Sequence, residues 1–137
     1  MSTSWTVERI INFTKDKRWG NGYAQVGFHD AAGRQYVVDY WHDWVGCLAP
    51  DERLYWSAGP APIAGSDLHV PVDLKGPGYV TLTPAGKVLV ACLGSNAVFD
   101  IDLARQQATV FIDGSAMGLK DIGNCEYDFD GNLWVNE

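Results

Sequence analysis

Apolar and polar positions alternate with period two over short runs, and glycine-bearing turns break those runs. The clearest stretch is 78–102, GYVTLTPAGKVLVACLGSNAVFDID. Val80 and Leu82 alternate with Thr81 and Thr83, and Pro84, Ala85 and Gly86 make a turn. Residues 87–92 are a β-branched and apolar run, Gly94, Ser95 and Asn96 a second turn, and residues 97–101 a third strand. A fourth strand is expected over 108–112, after the polar turn 104–107. This pattern predicts a four-stranded antiparallel meander.

The rest of the chain reads as copies of that unit. Residues 5–14 are expected to form one strand, and 15–22 a polar loop. Strands are then expected over 23–29, 34–40, 44–48 and 53–57. Turns at 30–33, 41–43 and 50–52 separate them. Residues 59–78 hold four prolines and four glycines and read as an irregular connector. Residues 113–123 are its equivalent, with at most one helical turn at 114–120. Strands over 125–129 and 133–136 flank the turn 130–132.

Each copy is strand, glycine turn, strand. The turn glycines Gly33, Gly86 and Gly131 lie 53 and 45 residues apart. Periods of this size with four strands per unit indicate a β-propeller. The chain therefore reads as one all-β domain of about two and a half to three blades. Residues 1–22 are an outer strand and connector, 23–59 a blade, 60–77 a connector, 78–113 a blade, and 114–137 the inner half of a blade.

Composition narrows the partners. Of 137 residues 47 % are apolar, with 15 Gly and 6 Trp, which suits a folded chain with many turns. The net charge of −7 disfavours nucleic acid and anionic membranes as partners. Residues 1–9 lack a basic start followed by an apolar core, and no run approaches 18 apolar residues. Cys47, Cys92 and Cys125 form no Cys-x-x-Cys and are expected to be buried thiols, which fits a cytoplasmic compartment.

The segments DFDGNLWVNE and DAAGRQYVVDYWHDWV resemble the NHL-type repeat. DGNLWVNE is also similar to the repeat of streptogramin (virginiamycin B) lyase-like propellers. The middle copy departs from the pattern with Pro84-Ala85-Gly86-Lys87 and ends in Ala91-Cys92, where the acidic position is lost. The lyase resemblance implies a general-base histidine, a magnesium-holding glutamate and a second histidine. Those come from blades that cannot be matched to this chain, so none is carried over.

In a propeller, the functional funnel is lined by loops entering the innermost strand and loops between second and third strands. That places Tyr23, Trp41, His42, Asp43, Tyr79, Asn96, Asn124 and Glu126 at one end as ligand candidates. Glu126 is the candidate ligand for a divalent cation such as magnesium or calcium. Trp41, Trp44 and Tyr40 suit either stacking on a flat ligand or packing between blades. Asp128 to Asn132 mimics the start of a calcium loop, with a hairpin turn as the alternative. Ser57, Ser66 and Ser95 have no nucleophile-elbow context.

Two functions are expected from these residues. The first is a ligand-binding or protein-interaction module using the funnel loops. The second is a propeller lyase or hydrolase with a bound cation. Three blades do not close a ring, so the chain is expected to form a homodimer that closes a propeller, or to be a fragment of a longer one.

Overall fold

In a computed structural model the structure describes residues 24–137. The strand expected over 5–14, and Tyr23, lie outside those residues. The described residues form three antiparallel units. β1 (Ala24–His29), β2 (Gln35–Asp39), β3 (Trp44–Leu48) and β4 (Leu54–Gly59) make the first. After β5 (His69–Pro71), β6 (Pro77–Leu82), β7 (Val88–Cys92), β8 (Ala97–Asp102) and β9 (Gln107–Asp113) make the second. β10 (Asn124–Tyr127) and β11 (Leu133–Asn136) are the third. This is the all-β, partial β-propeller architecture read from the sequence. Among the described residues no helix is long and apolar enough to cross a membrane.

Two expectations are corrected. The connector 60–77 is not wholly irregular, because β5 lies within it and pairs in parallel with β4. The first sheet therefore has five strands, β1-β2-β3-β4-β5, and is not a pure antiparallel meander. Three residues without period-two alternation give no strand signal, and only the waiting edge of β4 selects them. The second correction is one of bounds, since β4 runs on to Gly59 and β6 already begins at Pro77.

The sheets stack face to face. Tyr36, Val38, Val45, Cys47, Trp56 and Ala58 of the first sheet pack on Val80, Val88, Val90, Cys92 and Ile101 of the second. Leu89, Ala91 and Val98, from the other face of the second sheet, pack with Ile122 and Cys125. Every residue of β7 is buried, because this strand presents alternate side chains to both neighbours. All three cysteines are free and buried, and burial pushes the Cys92 and Cys125 thiols up to about 12.

The repeat has a physical basis in its first turn. Asp30 Oδ1 accepts the N–H of Ala32 (2.9 Å) and Arg34 (3.0 Å), while Oδ2 accepts Arg34 Nε (2.6 Å) and the Tyr36 hydroxyl (3.1 Å). Asp128 repeats this with the N–H of Asp130 and Asn132, then Asn132 Nδ2 (3.0 Å) and Trp134 Nε1 (2.8 Å). The motif is therefore a carboxylate saturated by donors two, four and six residues on. The indole of Trp134, then Asn132, holds the Asp128 carboxyl down at about 2. Burial pushes the Asp30 carboxyl up, but the Arg34 and Tyr36 donors outweigh it and leave it below its ordinary value. In the middle copy Thr83 Oγ1 accepts only the Lys87 N–H, and Leu89 stands where the other copies have a ring donor. In that turn the carboxylate, replaced by Thr83, and the ring donor, replaced by Leu89, are absent together. The Asp128 segment is a hairpin turn, as β10 and β11 pair across it.

Gly33, Gly86 and Gly131 have φ of +75°, +82° and +84°, as their shared place in the turn requires. A Cβ at Gly86 would meet nothing within 4 Å, so a side chain there acts through the backbone alone. Gly86→Val is expected to lose about 1–2 kcal/mol of stability in urea unfolding, from the left-handed conformation. An unchanged midpoint would contradict the turn assignment.

A second expectation concerns β5. His69 Nδ1 lies 2.8 Å from Ser57 Oγ and His69 Nε2 lies 3.2 Å from the Gly59 carbonyl, tying β5 to β4. Burial depresses the His69 pKa below its ordinary 6.5. The unfolded chain then binds the proton more readily, so this contribution is fully present above about pH 6.5, the unfolded value, and is lost as pH falls from there through the lower folded value. The urea midpoint of the wild type should drop between pH 7.5 and 5.5 by more than that of His69→Asn. Equal drops would sink the assignment.

Candidate functional site

The predicted funnel residues divide by what already occupies their polar atoms. Asp43 and Asn96 sit in equivalent turns, between β2 and β3 and between β7 and β8, each just before the third strand. Both adopt positive φ, +59° and +49°. Asp43 Oδ1 accepts the N–H of Gly76 at 2.8 Å, on the segment leading into β6. Asn96 Oδ1 accepts the N–H of Ile122 at 3.3 Å, leading into β10, and its Nδ2 donates to the Leu119 carbonyl at 2.9 Å. These side chains join one blade to the next. Their polar groups serve backbone that has left one sheet and not yet entered another.

The same junctions explain two glycines. A Cβ on Gly59 would lie 2.9 Å from the Asp43 carbonyl oxygen, and one on Gly114 2.6 Å from that of Asn96. The chain leaves each outer strand by passing directly over that turn, and only a residue without a side chain fits.

His42 and Trp41 are not consumed in this way. Asp39, wholly buried, accepts the N–H of Trp41 and of His42 at 3.1 Å each through Oδ1. Its Oδ2 lies 2.9 Å from His42 Nδ1. A carboxylate only accepts, so Nδ1 carries a proton, and in the neutral imidazole Nε2 is then the nitrogen with the lone pair. The His42 side chain is about half exposed, at 48 %. Trp41 is 69 % exposed and meets Tyr40 edge-on, with ring centroids 5.1 Å apart. Tyr40 itself covers Gly76, where a Cβ would lie 2.9 Å from its ring. Trp44 is buried in the first sheet. Of the three aromatics, Trp41 is the most exposed.

The other candidates lie on inner strands. Tyr79, on β6, packs against the core between second and third sheets, and burial together with the nearby Glu126 carboxylate raises its pKa. Glu126 is the third residue of β10, exposed and opposite Trp134. Asn124 opens β10 with its Oδ1 buried and without a hydrogen-bond partner. Among the described residues no three His, Cys, Asp or Glu side chains come together to hold a metal ion. Sequence reasoning missed Asp39, whose signal is an acid three residues before a histidine at a strand end.

Asp43→Ala should leave the buried Gly76 N–H without an acceptor and cost about 1–3 kcal/mol. Asp43→Asn keeps an acceptor and tolerates positive φ, so most of the stability should remain. The accompanying ion pair to Lys75, at 3.6 Å and exposed, adds little. Equal losses in the two variants, measured by thermal unfolding, would contradict the junction role.

No family model matches the chain, and no curated protein matches it. Two solved structures are similar. One is selenomethionine-substituted virginiamycin B lyase from Staphylococcus aureus, with TM-score 0.60 and 12 % identity over 93 % of this chain and 37 % of that one. The other is a catalytically inactive variant of the same lyase with quinupristin, with TM-score 0.58 and 11 % identity over 86 % of this chain and 36 % of that one. This chain spans little more than a third of the length of either, and at such identity the likeness shows a propeller-type fold.

Proposed function

We propose that the chain is a ligand-binding module of the propeller type, whose ligand meets the turn between β2 and β3. The observation that carries this reading is the hydrogen bond from His42 to buried Asp39. It orients the imidazole by its Nδ1, so that Nε2 of the neutral ring is an acceptor, in the same turn as the exposed Trp41 ring. A flat or sugar-like face suits Trp41, and a hydroxyl or amide donor suits Nε2. Asp43, in the same turn, ties it to the Gly76 N–H on the way into β6.

The same pairing supports a second reading, a propeller lyase or hydrolase. A carboxylate that orients an imidazole is the arrangement of a general base, and the fold is shared with a lyase. In that reading Glu126, exposed beside Tyr79, is the candidate for a divalent cation.

Thermal shift and tryptophan fluorescence separate the two. Quinupristin and a panel of monosaccharides serve as probes, each with magnesium, calcium or EDTA. For the binding module, a probe should raise the melting temperature, and Trp41→Ala or His42→Ala should weaken it roughly tenfold, ~1.4 kcal/mol. Cation stabilisation that Glu126→Gln abolishes, with turnover of a probe, would favour the enzyme. A panel that leaves both melting temperature and fluorescence unmoved removes the binding reading.

A further inference from the structure

We infer that the ligand of the turn between β2 and β3 carries an ammonium group, held against the Tyr40 and Trp41 rings. The inference rests on the ligand-binding reading above and names the chemical class of that ligand. It starts from two turns that do the same structural work. An offset of 53 residues carries the β2–β3 turn onto the β7–β8 turn, so that Asp39, Tyr40, Trp41, His42 and Asp43 become Cys92, Leu93, Gly94, Ser95 and Asn96. Asn96 joins one blade to the next as Asp43 does, from a turn with no aromatic ring, no imidazole and no acid. The junction therefore needs none of these groups. A Trp41 side chain left 69 % exposed does not fill a core either.

Three features of the turn favour a positive charge. Tyr40 and Trp41 meet edge-on, with planes at 90° and centroids 5.1 Å apart, so their rings form the two walls of a corner. The Tyr40 ring is seated on Gly76, where a Cβ would lie 2.9 Å from it, and this holds one wall in place. An aromatic face is the negative part of the ring and attracts an ammonium. Second, the carboxylates of Asp39, Asp43 and Asp73 meet the ammonium of Lys75, whose Nζ lies 3.0 Å from Asp73 and 3.6 Å from Asp43. The field of this turn already holds one ammonium of the chain itself. Third, donors that an anion would use are spent inside the turn. Asp39 takes the backbone N–H of Trp41 and of His42, and the Nδ1–H of the His42 ring. What the neutral His42 ring adds is Nε2, an acceptor.

A sugar would stack on Trp41 without regard to these charges, so charge dependence separates the classes. The net charge of −7 acts in the same direction at longer range.

Choline and 3,3-dimethylbutan-1-ol have the same shape and differ by one charge. Titrated into the full chain at low salt and followed by tryptophan fluorescence, choline should bind roughly fivefold tighter or more. Trp41→Leu should remove that preference. Lys75→Gln removes an exposed cation whose ion pairs add little stability. It should strengthen choline binding roughly twofold and leave the neutral probe unmoved. If Trp41→Leu does not fold, the probe pair and Lys75→Gln decide alone. Equal affinity for the two probes, or a Lys75→Gln that leaves choline unchanged or weakens it, would overturn the inference. So would a chain that binds no choline. The binding reading itself falls only if the quinupristin and monosaccharide panel fails as well.

Discussion

The constraint on which the structure depends is the two-sided burial of the middle sheet. In β7, Val88, Val90 and Cys92 face the first sheet and Leu89 and Ala91 face the third. Fully burying a Val or Leu side chain contributes about 1.5–3 kcal/mol, so a strand with no polar face is stable only as a filling between two layers. The antiparallel sheets that flank it must therefore lie against it on both sides. Stacking in this direction, not pairing within one continuous sheet, is what makes the chain a propeller segment.

Stacked sheets create a second problem, which the turns before the third strands solve. The chain must cross from the outer edge of one sheet to the innermost strand of the next. On that path its N–H groups belong to no ladder. Asp43 and Asn96 reach across and accept them, 33 and 26 residues away in sequence. Their left-handed backbone aims the side chain forward, and Gly59 and Gly114 let the chain pass over the same turns. Two residues that look like ligands are used in construction. In the turn between β2 and β3, Trp41 and His42 are left exposed, held by a carboxylate that is itself buried.

The opposite ends of the sheets obey a different local rule. Asp30 and Asp128 bind donors at fixed spacing within their own turns, and the sequence motif is the record of that spacing. Such a network needs no partner sheet. It survives in the exposed third unit, where Asp128 keeps all four of its donors.

By itself the sequence determined strands β1–β4 and β6–β11, the turn glycines at positive φ, the repeat and the propeller class. Each follows from interactions between residues a few positions apart, with alternation setting the face and glycine setting the turn. It also named the turn that carries Trp41 and His42. Only the tertiary structure decided that β5 exists, because three residues at 69–71 become a strand only against β4. It likewise decided that Asp43 and Asn96 are junctions, that Asp39 fixes His42, and that Glu126 lies within β10 beside Tyr79. Those roles depend on which backbone N–H groups are left without a ladder and which faces are covered. Both are set by how sheets stack, at separations where the local pattern of the chain carries no signal.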